Sequence, residues 1–165
     1  MIEMRKRVGY FLSLTFFFFL PQLSWAQFDK VFKTNYTNVH YLKEDDLDDF
    51  IWRLGGRKLE FSNEVEIASS RIDRIISRVQ TILDMWPRNF KLDIYLHRDV
   101  LEFNKVAYHD SASQSIHICV DYASDGVVAH EIAHAVISQY FSFSPPGKMN
   151  EILAQYVDKH LWSDY

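Results

Sequence analysis

The chain reads as an α+β domain: a small mixed sheet, a long backing helix and two C-terminal helices that hold the polar chemistry. Three observations lead there. Three short segments read as strands: Asn35–Tyr41 by its aromatic and β-branched residues, and Lys91–His97 and Ser115–Asp121 by apolar and polar residues that alternate with the period of a half-buried strand. Between the first two segments, apolar residues recur at the 3.6-residue spacing of a helix over a run too long for a strand. After the third, the period stays helical almost to the end. Strands and helices in this order favour a layered α+β arrangement. The 165 residues, 48% of them apolar, suffice for one compact domain, placed here at 27–165.

The first 26 residues have the pattern of a secretory signal. Arg5, Lys6 and Arg7 precede an apolar run, Val8–Leu20, and Ser24-Trp25-Ala26 puts small residues where a signal peptidase cuts. The run is shorter than the ~20 residues that span a bilayer, so cleavage is expected rather than retention as an anchor. With no cysteine near that junction, a lipid anchor is excluded. The expected product is periplasmic or extracellular, without a stable membrane span.

Asn35–Tyr41 is rich in aromatic and β-branched residues, as a strand should be. A short helix follows in "KEDDLDDFIWRLGG", its acids favoured by the helix dipole and Gly55-Gly56 ending it. Asn63–Trp86 is the long helix: Val65, Ala68, Ile72, Ile75, Val79, Ile82 and Trp86 share one stripe. Asn63 with Glu66 resembles a capping box, Pro87 stops the helix, and Arg71, Arg74 and Arg78 are assigned to its solvent side. Lys91–His97 is the second strand, and Asp99 with Glu102 suggests a short helix to about Ala107. Ser115–Asp121 is the third strand, read as a sheet edge. Helices over about Gly126–Tyr140, capped by Ser124 or Asp125, and about Lys148–Leu161 close the order, with "SPPG" between them.

Composition narrows function. The net charge is -4, with no run of Lys or Arg after residue 10, so nucleic acid has no electrostatic footprint here. Cys119 is the single cysteine, which rules out an internal disulfide and leaves packing, or a metal, to stabilise an exported domain. A thiolate capping a metal in a latent form is the less ordinary role for Cys119.

The sharpest feature is "VVAHEIAHAV". His130 and His134 are one helical turn apart, so both imidazoles face the same side and can give a nitrogen each to one zinc ion. Glu131 leans over the same place without being a ligand. Burying such a trio among Ala129, Ile132, Ala133, Val136 and Ile137 is costly unless a metal partners it. Glu151 lies seventeen positions after His134, beyond the Pro-Pro-Gly reversal, and folding the second helix back brings it in as a third ligand. Two His and one Glu leave a fourth position open, as a catalytic zinc site requires.

"HEIAH" followed by "NEILAQY" resembles the gluzincin zinc metallopeptidases, where H-E-x-x-H precedes an N-E-x-x-A helix matched here by Asn150, Glu151 and Ala154. The short interval between motifs looks most like the minigluzincins and other peptidase MA-like domains. The resemblance implies a zincin-like fold, with an edge strand over the zinc helix and a glutamate helix behind it. It also implies Zn2+ held by His130, His134 and Glu151, with Glu131 as the catalytic general base on a peptide or protein substrate. Ile152 stands where many relatives have glycine. The group that would stabilise an oxyanion is left open among Tyr156, His160, Tyr122, His117 and His109. Asn150, Gln155 and Asp158 are candidates for orienting a ligating histidine, Gln155 the best placed. The rival reading is a zinc-binding, catalytically inactive module that captures peptides along its edge strand.

Overall fold

A computed structural model of the chain describes Phe28 and residues 30–55, 65–101 and 104–163. The expected signal segment, 1–26, and the Asn63 cap lie outside the described residues.

The elements are β1 (Lys30–Lys33), β2 (Thr37–Tyr41), α1 (Glu44–Arg53), α2 (Val65–Leu83), β3 (Leu92–His97), β4 (Ala107–Asp110), β5 (Ser115–Cys119), α3 (Asp125–Tyr140) and α4 (Gly147–His160). The five strands form one mixed sheet in the order β1-β2-β3-β5-β4. The central pairs β2–β3 and β3–β5 are parallel and the outer pairs antiparallel. The mixed α+β architecture is therefore as the sequence suggests.

Strand alternation sorts the two faces of the sheet. Val39, Ile94, Leu96, Ile116 and Ile118 are buried in one core with Ile72, Ile75 and Ile76 of α2 and Ile132 and Val136 of α3. On the other face, His40, Tyr95, His117 and Tyr108 are cross-strand neighbours along four strands. Their rings stack in one row, with centroids 4.5, 5.0 and 4.7 Å apart.

Four expectations need correction. Ser115–Asp121 is not an edge: β5 runs only to Cys119 and lies between β3 and β4. All of its residues but His117 are buried, which is what an interior strand shows. The edge on that side of the sheet is β4, a strand the sequence does not announce. Of the expected helix at Asp99–Ala107, residues 102–103 lie outside the described residues, and among the others only Asn104 belongs to a helical, 3-10 turn. Leu101 instead bridges to Lys105, with Asn104 at φ 59, and the chain enters β4 at Ala107. The long helix stops at Leu83 rather than Trp86. Asp84 takes a left-handed φ of 51, while Met85 N–H donates to Gln80 O at 3.1 Å and Asp84 N–H to Thr81 O at 3.3 Å. That is a Schellman ending, which leaves Trp86 exposed. Finally, Arg71 and Arg78 are not simply solvated, since they donate to Ile51 O and Leu161 O and tie α2 to its neighbours.

The acids of α1 are likewise partnered: Asp46 is buried, and Arg98 bridges it to Asp49 and Asp121. Cys119 is fully buried and its thiol points to Arg98 O at 3.4 Å, away from the candidate site. Among the described residues no helix is long and apolar enough to cross a membrane.

Candidate metal centre

α3 begins where Ser124 accepts a hydrogen bond from Val127 N–H, an ordinary N-cap. Val128, Ala129, Ile132, Ala133, Ala135, Val136 and Ile137 of this helix are buried. Val127, His130, Glu131, His134 and Ser138 are half-buried and, at spacings of three and four, share one stripe. Pro145-Pro146-Gly147 then reverses the chain, and Met149 and Asn150 N–H both donate to Pro146 O as α4 starts. Antiparallel α4 lays its second turn against the middle of α3.

The three expected ligands meet there. Their donor atoms lie within 4.8 Å of one another. His130 Nε2 and His134 Nε2 are 3.2 Å apart, and the Glu151 oxygens reach each of them at 3.6 Å. Tetrahedral bonds of ~2.0–2.1 Å, usual for zinc with nitrogen and oxygen, separate neighbouring donors by about 3.3–3.4 Å. All three gaps are close to that value, so the group can hold a metal ion, and a fourth tetrahedral position is left for another ligand.

The surroundings of the trio are ordered. His134 Nδ1 meets Asn150 Oδ1 at 3.0 Å, which fixes the tautomer and leaves Nε2 as the acceptor facing Glu151. Gln155 Nε2 donates to Glu151 Oε1 at 3.0 Å. The expected ranking is thus corrected: Asn150 orients a histidine, whereas Gln155 orients the glutamate. The reason is helix phase, because Asn150 faces α3 directly and Gln155 stands one turn above Glu151. Asp158 touches neither histidine and lies against the start of α3.

Glu131 sits beside the trio. Burial pushes its carboxyl above the usual range, against the pull of His134, His130 and a hydrogen bond donated by the His109 backbone N–H. That N–H comes from β4. Val106 O accepts from Cys119 N–H, and by antiparallel alternation the peptide groups of Ala107 and His109 then point outward from the sheet edge.

Of the five side chains open as oxyanion donors, the fold brings only His109 to the site. Tyr122 is 54% exposed, His117 lies in the ring row on the far face, and Tyr156 packs at a tilt against His160, with ring centroids 4.1 Å apart. The His109 side chain turns toward α3. Burial, and secondarily His134, lowers its pKa to about 4 against an opposing Asp110, and its Nε2 is buried without a hydrogen-bond partner. It is a neutral imidazole.

Two cavities open on the trio. One, of about 470 Å³, lies between Lys105, Tyr108, His109, Ser138 and Asn150. The other, of about 340 Å³, lies between Val106, Val127, Gly126 and Asp158. Ala107, His130 and Glu131 border both. Sequence reasoning did not find Lys105, Val106 and Ala107, which have no motif and matter only because β4 carries them. No family model matches this chain, and neither a curated protein nor a solved structure matches it.

Proposed function

We propose that this chain is an exported zinc metallopeptidase of the gluzincin type. The observation that carries the reading is the approach of the Glu151 carboxylate to both imidazole nitrogens at 3.6 Å, with Glu131 beside them. A structural zinc site closes all four positions, and this donor set leaves one free. Holding a metal alone would not require Glu131, and a carboxyl whose pKa is raised by burial is suited to take up and return a proton.

His130, His134 and Glu151 would hold the ion, which when bound makes water more acidic and polarises a carbonyl. Glu131 accepts the proton of the attacking water and delivers it to the leaving amine. The substrate backbone lies extended and antiparallel along β4, using the outward peptide groups of Ala107. His109 borders the cleft and is the side chain assigned here to the developing oxyanion, its Nε2, buried and unpartnered in the free protein, turning to the substrate on binding.

The deciding experiment is digestion of a peptide library by zinc-loaded wild type and by Glu131→Gln, with metal content measured on both. The reading expects metal in both proteins and cleavage in wild type alone. Metal in both with no cleavage that the variant lacks leaves the inactive peptide-binding module instead.

A further inference from the structure

The two cavities beside the trio are lined by different residues. Lys105 borders the one next to His109, and Asp158 borders the one next to Val106 and Val127. Asp158 follows Glu151 by two helical turns, so both carboxylates face α3, about 10 Å apart along the axis. The Asp158 carboxylate lies against the first turn of α3: a Cβ on Gly126 would meet its Oδ1 at 2.5 Å. A glycine at 126 is therefore what leaves room for this group. Among the described residues no lysine, arginine or histidine forms an ion pair with it. Val106, Ala107 and Val127 make the cavity walls apolar between the trio and that carboxylate.

An apolar corridor ending in a carboxylate complements a lysine or arginine side chain, with its aliphatic stem and cationic head. Direction follows from β4. A peptide antiparallel to it runs from the Asp110 end toward the Ala107 end, so the residue after the scissile bond enters the Asp158 cavity. Building on the peptidase reading above, we infer that the cleft selects substrates with Lys or Arg immediately C-terminal to the cleaved bond, paired with Asp158.

Two arms test this with the full chain. In the first, zinc-loaded wild type, Asp158→Asn and Asp158→Lys digest a peptide library, and the residues flanking each cut are counted. Wild type should be enriched in Lys and Arg after the bond. In Asp158→Asn the ratio of kcat/KM for basic over neutral peptides should fall roughly tenfold, the scale of one charge-assisted pair in a half-open cleft. Asp158→Lys should turn the preference toward Asp and Glu. The same flanking preference in wild type and Asp158→Asn overturns the inference.

In the second arm, fluorescent peptides with one Arg or one Ala at the same position are titrated into Glu131→Gln and into Glu131→Gln/Asp158→Asn. Tighter binding of the Arg peptide, weakened by salt and absent from the double variant, supports the subsite. Equal binding of Arg and Ala peptides to Glu131→Gln overturns it. Since this arm needs no turnover, a chain that binds selectively but cuts nothing sinks the peptidase reading and leaves the Asp158 subsite standing.

Discussion

Both ring nitrogens of His134 are in use, Nδ1 toward Asn150 and Nε2 toward His130 and Glu151. Removing the Asn150 amide frees the ring to rotate and to change tautomer, though it deletes no ligand. Asn150→Ala is expected to weaken metal binding by about 10–100-fold, measured by competition with a chromogenic chelator, with helix content unchanged. His109 makes the complementary case, because its Nε2 lies buried and unpartnered beside the cleft while its neutral state comes from burial. His109→Ala should lower kcat on the order of 10²-fold and leave metal affinity near that of wild type. A loss of metal in His109→Ala would instead make this ring part of the metal's own shell.

At the scale of elements, α3 has to satisfy two demands at once: a buried surface and one polar stripe. Ile132 is fully buried between the stripe and the sheet, so Ile132→Ala should cost about 2–4 kcal/mol in urea unfolding and lower metal affinity through misplaced histidines. The same helix explains what was legible beforehand. The spacing of His130, Glu131 and His134 is a local property of any helix, and the Pro-Pro-Gly reversal brings Glu151 close by simple antiparallel pairing. What stayed hidden depends on neighbours. β1 and β4 are four residues each, and β4 shows no contrast of buried and exposed residues because all four are half-buried. β4 is a strand because β5 pairs with it, and without β4 in view β5 reads as the edge. The Asp99–Ala107 segment offered helix caps but only two turns, too few to hold a helix without packing. The choice between Asn150 and Gln155 turned on helix phase against α3, which spacing within α4 leaves open.

For the whole molecule, a site shared by two helices links metal to folding, so excess chelator should lower the melting temperature of zinc-loaded protein. An unchanged temperature would mean that the trio holds no metal in the folded state. Acid acts on a different part of the fold. His97 is pushed down to about 4 by burial and then by His117, with Asp99 opposing, and His117 is lowered as well, by burial. His97 Nε2 and His117 Nδ1 are 3.0 Å apart, and Phe28 packs edge-on against the His97 ring. An unfolded chain titrates its histidines near 6.5, so between about 6.5 and 4 the unfolded state binds more protons than the folded state. Stability from these rings is present above that window and falls as pH drops through it. With chelator present throughout, so that metal release does not contribute, the melting temperature should fall steadily from pH 6.5 to 4.5. His97→Gln has no proton to gain and keeps an amide within reach of His117, so it should show a shallower fall. An equal slope in wild type and His97→Gln would move the acid sensitivity elsewhere, with His109 as the next buried neutral ring to substitute.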